Sequence, residues 1–592
     1  MKRLEEIFEK SLNVLRKKGF FSLIFAVFKY TIFRYWNIEF VSDFNRDYLL
    51  WIKQKELIDY GNNEIDFKYK PKISIIVPVY NVDFIWLDKC IKSVYFQTYE
   101  NWELCIYDDA SQKRETIECL KKWERIDSRI KIFYGSDNKH ISAASNEAIK
   151  FATGEYVALL DNDDEISQNA LYEVVSLINN YPQADFIYSD EDKIDEYGNR
   201  MNPFFKPNWS PDLLYSLNYI CHLSIIKKTI GDQCGWFREG FEGAQDYDLF
   251  LRIVSKTKNI FHIPKILYHW RMLPTSTAKS IGSKKYAHDA GKRALTDYLN
   301  ENNINAHVED GFGSTNYRLI YKFPNEPVSI IIPFKDKVYL LKNCLESIIQ
   351  KSSYKNYELI LVSNNSIERE TFEYLETLKE IQNIKIFERN IPFNYSALNN
   401  WAVQKSSGKY ILFLNNDTEV LSNDWLEAML MHASRDDIGA VGSLLYYPNK
   451  KIQHAGVILG MTGLAGHIFS GETEKNSYYN LPNYTRNYLA VTAACLLVSR
   501  DKYFEVSGLN ESFTVCGNDV DFCLKLYEKG YLNVYTPYSK LIHYESVSRD
   551  KNPPLCDIEI SQRRYSPYIN NDPYFNENLS LDGTNIRINL KK

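Results

Sequence analysis

The stretch ISIIVPVYN, residues 73–81, returns 255 residues later as VSIIIPFKD, residues 328–336. Three further blocks recur in the same order: NWELCIYDDAS (101–111) as NYELILVSNNS (356–366), ATGEYVALLDNDDEI (152–166) as SSGKYILFLNNDTEV (406–420), and GAQDYDLFLRI (243–253) as CGNDVDFCLKL (516–526). Four blocks in one order indicate a duplication, and so long a period means two domains rather than a solenoid. The shift grows from 254 to 273 residues before the last block, which places a 19-residue insertion in the second copy.

Within each copy, short apolar β-rich runs alternate with stretches of helical spacing. In the first copy we predict strands at 74–79, 103–107 and 156–160, and helices at 87–95 and 141–151. This alternation predicts a doubly wound, Rossmann-like α/β sheet, whose ligands bind at the carboxyl ends of its strands. We expect the two domains at 71–285 and 326–552, a connector at 286–325, a helical N-terminal segment at 1–70, and a surface-draped C-terminal tail at 553–592.

The bulk composition fits a globular protein of more than one domain. The chain has 592 residues, 45% of them hydrophobic and 25% charged, and single cores stop growing at roughly 250–300 residues. A net charge of −5 without a dense Lys/Arg block argues against nucleic acid as a partner. The ten cysteines form no C-x-x-C pair, and no signal peptide is recognised, so we expect a reducing, cytoplasmic location.

The first 36 residues are basic and then apolar. They hold eight Lys or Arg against three Glu, and the apolar run at 20–28 is too short to span a bilayer. This pattern predicts a helix that lies on an anionic membrane, hence peripheral contact with the inner face of the cell membrane. A helix that packs on the first domain is the alternative.

Polar residues follow three strands of the first copy: PVYN (78–81), DD (108–109) and DNDD (161–164). The ends of parallel strands meet at one edge of the sheet, and carboxylates gathered there repel one another unless a cation or donor partners them. Mg²⁺ or Mn²⁺ takes carboxylate oxygens and shares substrate phosphates. A lone D-x-D is usually a solvated acidic loop, but the ordered set favours a site for a metal and a diphosphate.

Both copies resemble family-two glycosyltransferases of the GT-A fold. The motifs VPVYN, YDDAS, LLDNDD, EGAQDYDLFLR and HW follow one another in that family's order, over about 215 residues of the first copy and about 225 of the second. The resemblance implies two tandem GT-A (nucleotide-diphospho-sugar transferase) domains. It also implies that each domain uses Mn²⁺ or Mg²⁺ to transfer a sugar from a nucleotide-sugar donor to an acceptor hydroxyl, with inversion at the anomeric carbon.

For the first copy, the resemblance implies a role for each matching residue. Asp108 would contact the base of the nucleotide, Asp161 the ribose, and Asp163 the metal. Asp246 would be the catalytic base, and His269 would approach the metal or the diphosphate. Inversion needs such a base on the face opposite the leaving group, although an aspartate at a helix start is also favoured by the helix dipole. The other nucleotide-sugar-binding residues expected here are Pro78, Tyr80, Asn81 and Asn162.

The second copy matches the family less evenly. Asp417 keeps the metal position, Asp519 the base position and His543 the histidine position. However, Asn415 stands where the first copy has Asp161, and Ser363 stands where it has Asp108, which puts the nucleotide preference of this copy in doubt. The nucleotide-sugar-binding residues expected here are Pro333, Asp336, Asn364, Asn415 and Asn416.

The segments HAG (454–456), GLAGH (463–467) and FNYSALNN (393–400) resemble a rhamnosyltransferase-like subgroup of that family. The leading hypothesis is therefore a bifunctional inverting glycosyltransferase that extends a surface polysaccharide of the capsule or O-antigen type on a glycan or lipid-linked glycan acceptor. Alternatively, only the first domain is active, and the second binds or scaffolds the acceptor. A nucleotide-dependent oxidoreductase is disfavoured, because no G-x-G-x-x-G turn follows the first strand of either copy.

Overall fold

The structure is a computed structural model that describes residues 43–56, 66–273, 281–313, 315–475, 477–545 and 554–591. A short helix, α1 (Asp43–Trp51), and a π-helical turn (Ile52–Glu56) belong to one compact unit, and the described residues from Asp66 onward belong to a second. The predicted membrane-binding segment, the first 36 residues, lies outside the described residues, so membrane contact stays a prediction. No helix in the described ranges is long and apolar enough to cross a bilayer.

A mixed sheet forms the centre of the first copy. Its strands are β1 (Ile73–Val79), β2 (Trp102–Asp108), β3 (Ile130–Tyr134), β4 (Tyr156–Leu159), β5 (Glu165–Ile166), β6 (Phe186–Ile194), β7 (Arg200–Phe204), β8 (Ser224–Lys227) and β9 (Ile260–Arg271). They lie in the order β3-β2-β1-β4-β8-β6-β9-β5, with β7 beside β6. β1 to β4 run parallel, as predicted, and every residue of β1 and β2 is buried, which explains their continuous apolar runs.

Helices cover both faces of this sheet. They are α2 (Phe84–Tyr95), α3 (Arg114–Glu124), α4 (His140–Lys150), α5 (Ala170–Asn180), α6 (Pro211–Ser216), α7 (Lys228–Cys234) and α8 (Gln245–Lys256). Between the copies come α9 (Ile281–Glu301) and a hairpin of β10 (Ala306–Asp310) and β11 (Tyr317–Tyr321). Most of α9 and the whole hairpin lie in the connector expected at 286–325, and the hairpin was not predicted.

The second copy repeats this architecture. Its strands are β12 (Val328–Phe334), β13 (Tyr357–Ser363), β14 (Ile384–Glu388), β15 (Tyr410–Leu414), β16 (Thr418–Val420), β17 (Ile438–Tyr446), β18 (Ile452–His454), β19 (Val457–Leu459), β20 (Ala465–His467), β21 (Arg486–Tyr488), β22 (Cys495–Ser499) and β23 (Leu532–His543). The order β14-β13-β12-β15-β22-β17-β23-β16 matches the first sheet strand for strand. The β19–β20 ladder lies between the third and fourth repeated blocks, where the insertion was expected.

The helices of the second copy are α10 (Val338–Lys351), α11 (Arg369–Leu378), α12 (Tyr395–Val403), α13 (Trp425–Ala433), α14 (Arg500–Glu505), α15 (Asn518–Glu528) and α16 (Leu555–Tyr565). The expectation of a surface-draped tail is wrong for the described residues 554–591. Asp557 and Tyr565 of α16 are buried, and the backbone N–H of Asn208 in the first copy donates to the carbonyl of Pro573. Both polar contacts and buried apolar side chains, such as Tyr565 and Tyr574, hold this segment in place.

A glutamate, buried in the first copy and partly buried in the second, recurs beside the first strand of each sheet and shows how closely the copies agree. Glu358 accepts hydrogen bonds from Ser329 Oγ at 2.7 Å and from the backbone N–H of Ser407 at 2.6 Å, and Glu103 occupies the corresponding place in the first copy. The chain passes so near Ser329 that a Cβ at Gly408 would lie 2.5 Å from its backbone nitrogen. Glycine is therefore required at this crossing.

The two copies share polar contacts as well as apolar core. Arg435 of the second copy donates to Asp212 of the first at 2.5 Å, and Asn487 donates to the same carboxylate at 2.7 Å. Tyr478, in the region of the insertion, donates to the carbonyl of Pro203 at 2.8 Å. Because these groups are buried or partly buried, the copies form one body rather than two linked ones.

Candidate active site

The residues that follow β1 and β4 shape the carboxyl edge of the first sheet, meaning the edge where β1, β2 and β4 end. The Asn81 side chain accepts hydrogen bonds from the backbone N–H groups of Gln112 and Lys113, at 2.7 and 2.9 Å. The Asn162 amide donates to the carbonyl of Pro78 at 2.7 Å. These predicted binding residues therefore fix the loops of the edge, while Tyr80 remains 48% exposed beside them.

Asp108 ends β2 with a carboxylate oxygen that the protein leaves unused. The side chain is buried, and its Oδ1 has no hydrogen-bond partner among the described residues. Burial raises the pKa of this carboxyl, and hydrogen bonds from Ser111 oppose the shift. A buried acceptor without a partner is costly unless a ligand supplies a donor. This suits the predicted contact with a nucleotide base.

The second copy closes the same position with its own side chains. Ser363 donates to Ser366 Oγ at 2.9 Å, and the Asn364 amide donates to the carbonyls of Arg389 and Ile391 at 2.8 and 2.9 Å. The Asp336 carboxylate accepts from the backbone N–H of Ile367. The amide group of Asn364 is therefore hydrogen-bonded to the loop at residues 389–391. At this position the described part of the second copy has no counterpart of the Asp108 oxygen that lacks a partner.

The acidic loop after β4 divides into structural and available carboxylates. Asp164 is buried and accepts hydrogen bonds from the Tyr268 hydroxyl at 2.5 Å and from the backbone N–H of Arg271 at 2.6 Å. Asp161 is half exposed, with 49% of its side chain accessible. Burial, together with the neighbouring Asp161, raises the pKa of Asp163 to about 6. Asp161 and Asp163 are therefore the two carboxylates whose repulsion a cation would relieve.

Asp246 lies in the first turn of α8 and accepts a hydrogen bond from the Asn218 amide at 2.8 Å. Burial raises the pKa of its carboxyl, although His222 and the backbone N–H of Tyr247 oppose the shift. A carboxylate whose pKa is raised is a stronger general base. Asp248, two residues further along the helix, is buried and forms ion pairs with Arg238 and Arg252, so its role is structural.

His222 is a residue of this site that the sequence analysis missed. Its ring stacks on Tyr268 with centroids 4.4 Å apart, and its two nitrogens lie 3.8 Å from Asp161 Oδ2 and 3.5 Å from Glu191 Oε2. Burial alone would lower the pKa of the imidazole, but these carboxylates and Asp164 raise it to about 9. The first site therefore holds a fixed positive charge beside Asp161.

Comparing the sequences of the two copies could not indicate His222, because the second copy has no histidine at the corresponding position. Lys227 pairs with Tyr156 in the first copy and Ser499 with Tyr410 in the second, so the residue five positions earlier is His222 in one and Ala494 in the other. A residue without a counterpart falls outside every repeated block. The second site consequently lacks this charge.

His269 and His543 each have a polar protein partner at Nδ1. His269 Nδ1 lies 2.6 Å from Asp192 Oδ1, and Asp192 is buried. His543 Nδ1 lies 3.0 Å from Gln453 Oε1, and its Nε2 lies 3.2 Å from Asp417 Oδ1. A polar partner at Nδ1 fixes each ring, and Nε2 would be the coordinating atom, as in metal-binding histidines. In His543 this Nε2 also lies 3.2 Å from the Asn415 amide nitrogen, so a cation would have to displace that contact.

Most of the predicted residues of the second copy meet in one cavity of about 570 Å³. Asp519 lies in the first turn of α15, and its Oδ2 accepts from the backbone N–H of Ala493 at 3.0 Å. The predicted residues that line this cavity are Pro333, Asn415, Asn416, Asp417, Asp519 and His543. Asp336 and Asn364 do not line it, so the structure divides the second set between this cavity and the loops beside it.

Two regions outside the predicted set also line this cavity. The region of the insertion contributes residues such as Thr462 and His467, and the C-terminal segment contributes Ser561 and Tyr565. The sequence analysis flagged the first region by its glycines and histidines. It assigned nothing to the second, because α16 has no counterpart in the four repeated blocks.

A divalent cation fits the donor atoms of both sites. Within the described ranges, no three His, Cys, Asp or Glu side chains are grouped to hold a metal by themselves. Mg²⁺ and similar ions are commonly held by one or two carboxylates together with substrate phosphates. Asp417 and His543 lie side by side in the second site. In the first site, a cation would stabilise the charged form of Asp163, which burial and Asp161 disfavour.

The fold and the two edges define an α/β enzyme that binds its ligands at the carboxyl ends of sheet strands. More narrowly, the chain belongs to glycosyl transferase family 2, whose family profile matches residues 74–241 and 329–501. It has two GT-A domains in tandem, as the motif order predicted. Within the described residues, the two matched regions contain β1 to β8 and β12 to β22.

The chain is similar to two curated bacterial proteins. It is 42% identical over 550 residues to the uncharacterized protein y4gI of Sinorhizobium fredii, which covers 90% of this chain and 60% of that protein. It is 38% identical over 521 residues to the O-antigen biosynthesis protein RfbC of Myxococcus xanthus, which covers 87% of this chain and 41% of that protein. The chain therefore spans less than two thirds of the length of either relative.

Among solved structures, S. aureus TarS 1–349 in complex with UDP-GlcNAc is 20% identical with a TM-score of 0.33, covering 39% of this chain and 67% of that one.

Proposed function

We propose that the chain is a bifunctional inverting glycosyltransferase that uses Mn²⁺ or Mg²⁺ and extends a surface polysaccharide of the capsule or O-antigen type. The observation that carries the proposal is the repeated presence, at one carboxyl edge, of an acidic loop, a histidine from a late strand and an aspartate at a helix start. The acceptor class is supported by the name of the Myxococcus relative, an O-antigen biosynthesis protein.

In this proposal, Asp246 and Asp519 take a proton from the acceptor hydroxyl of their own site. The freed oxygen forms a bond to the anomeric carbon from the face opposite the nucleotide, and the bond from that carbon to the diphosphate oxygen breaks. Bound Mn²⁺ or Mg²⁺ would neutralise charge on the departing diphosphate. Asp163 with His269, and Asp417 with His543, are the residues that would hold it.

The two sites are proposed to take different donors. The first site offers the unused Asp108 oxygen to a nucleotide base and carries the His222 charge, and the second has Ser363 and Ala494 at these positions. Different groups at the base-binding position favour different nucleotides or different hydrogen bonds to the same one. A protein that adds two different sugars in turn would need this asymmetry.

The test is to make Asp246→Asn and Asp519→Asn separately in the full-length chain. A panel of nucleotide sugars is offered with a lipid-linked glycan acceptor, and both released nucleoside diphosphate and product linkages are measured. Each variant should lose a different linkage, by about 10²- to 10⁴-fold in rate, as expected for removal of a general base. Chelation of divalent cations should stop both reactions.

Matched controls come from the repeat itself. Glu118 and Glu373 are more than half exposed and form corresponding ion pairs with arginines on α3 and α11. Glu118→Gln and Glu373→Gln should leave both linkages intact. If Asp519→Asn changed no product, bifunctionality would be wrong, and the second domain would instead serve as the acceptor-binding or scaffolding module.

A further inference from the structure

The base helix of each copy carries a second aspartate that is buried and needs a cation. In the first copy this is Asp248, which binds Arg252 Nη2 at 2.8 Å and Arg238 Nε at 3.1 Å. Both arginines belong to the first domain itself. Asp248 lies two residues after Asp246, so this cluster anchors the start of the helix that carries the catalytic base.

The second copy has lost both of these arginines. At the shift of 273 residues, Glu511 stands in place of Arg238 and Lys525 in place of Arg252. Lys525 Nζ donates to the carbonyls of Val506 and Gly508 rather than to the helix aspartate. Asp521, the buried counterpart of Asp248, therefore receives no cation from either position.

Arg564 of the C-terminal helix α16 supplies the missing cation. Its Nε lies 2.7 Å from Asp521 Oδ1, and its two terminal nitrogens bind the Glu528 carboxylate at 2.6 and 2.8 Å. Only one oxygen of Asp521 is used, because Oδ2 has no hydrogen-bond partner within the described ranges. An arginine from outside the matched family region thus replaces one that the domain lacks.

The same helix fixes the loop that leads into Asp519. The buried carboxylate of Asp557 accepts from the backbone N–H groups of Thr514, Val515 and Cys516 at 3.0, 2.8 and 3.0 Å. Burial disfavours the charged form of Asp557, but these N–H groups lower its pKa. The Tyr565 hydroxyl donates to the carbonyl of Gly517 at 2.9 Å. Each residue from 514 to 517 is thereby tied to α16.

The first copy has an equivalent helix. α9 follows the last strand of the first domain as α16 follows that of the second, and it packs against α8. A Cβ at Gly243 would lie 3.2 Å from Ala287 Cβ, and Arg238 Nη2 lies 2.9 Å from Asp297. The duplicated unit therefore ends with a helix over the base loop, although the sequences of these helices do not reveal it.

We propose that α16 is a positioning element of the second transfer site, in which Arg564 and Asp557 hold Asp519 in reach of the acceptor hydroxyl. The proposal rests on the proposed role of Asp519 as a base. Neither residue has to touch the substrate. Their effect is on geometry, and a displacement of about 1 Å at a catalytic group can cost about 10²-fold in rate.

The experiment compares Arg564→Ala with Arg563→Ala, an exposed neighbour on α16, in the full-length protein. Arg564→Ala should lower kcat for the second linkage by about 10²-fold, leave the donor KM unchanged, and spare the first linkage. The rescue variant adds Glu511→Arg, which restores an arginine where the first copy has Arg238. Arg564→Ala/Glu511→Arg should regain most of the lost kcat relative to Glu511→Arg alone.

Thermal unfolding of each variant separates positioning from loss of fold. A folded Arg564→Ala variant that kept full second-linkage activity, lost both linkages alike, or was not rescued by Glu511→Arg would overturn the proposal. If Arg564→Ala did not fold, Asp557→Asn supplies the same kcat and KM test. If Arg564→Ala has no effect on the second linkage while Asp519→Asn abolishes it, only this inference is overturned. If Asp519→Asn is fully active, the proposed function is overturned as well.

Discussion

The charge of His222 gives a prediction whose size follows from the structure. Its pKa is raised from 6.5 to about 9 by Glu191, Asp161 and Asp164, against the effect of burial. The folded state therefore binds this proton more tightly than the unfolded state does. At 1.36 kcal/mol per pH unit, the difference contributes about 3 kcal/mol of stability. That contribution is fully present below pH 6.5 and is lost as the pH rises through 9.

The perturbation is His222→Gln, which removes the charge while Glu191 keeps Lys206 as its partner at 3.0 Å. Unfolding entropy near 2.1 cal/mol/K per residue gives about 1.1 kcal/mol per kelvin for a body of roughly 530 residues. Calorimetry should therefore show the wild type melting about 3 °C above the variant at pH 6.5, with the gap closing by pH 9.5.

The control is His307→Gln, because His307 is 65% exposed on the β10–β11 hairpin, and its gap to the wild type should not change over this range. NMR of the protein labelled on histidine gives an independent measurement, since the resonance that His222→Gln removes should titrate near pH 9. A midpoint near 6.5, or a melting difference equal at both pH values, would refute the reasoning.

Three further predictions concern the repeat. Against burial, Lys385 and Ser329 lower the pKa of Glu358 to about 2. Glu358→Gln should therefore reduce the free energy of unfolding by about 3 kcal/mol above pH 4.5, and by progressively less as the pH falls toward 2. Calorimetry at a series of pH values measures this difference. Gly408→Ala should cost about 1–3 kcal/mol in the same assay, since its Cβ meets the backbone of Ser329. Asp108→Ser should weaken nucleoside diphosphate binding at the first site alone, as titration calorimetry would show.

The sheets and most of the edges were predictable from sequence because they depend on local patterns. β1 and β2 are buried along their whole length, so their apolar runs stand out, and their ends must coincide once the strands are parallel. The duplication then supported the choice of motifs, since blocks that recur in the same order are hard to attribute to chance. Asp163, Asp246 and Asp519 were selected as candidate site residues in this way, and their roles stay predictions.

The residues that were missed depend on contacts between distant segments. Glu191, 31 positions before His222, holds its backbone N–H as well as its ring, and α16 reaches Asp519 from the far end of the chain. Neither lies in a repeated sequence block, and the correspondence of α16 with α9 is visible only in the structure. Arg564 shows the difficulty most clearly, because its role becomes visible only once Glu511 is seen to stand where the first copy has an arginine.

The second copy has Glu511 where the first copy has Arg238, and buried contacts between the copies explain why this difference can persist. Arg435 and Asp212 are both largely buried and face each other across the copies, so separating the domains would deprive Asp212 of this arginine, although Arg435 would keep Asp437 of its own copy. The C-terminal segment adds a second link, because Asn576 donates to Asp190 of the first domain at 2.8 Å after α16 has passed the second site. The second site is thus built partly from residues of the C-terminal segment. Once such support exists, a domain can lose an internal arginine and keep its catalytic geometry, provided that the two copies stay in one chain.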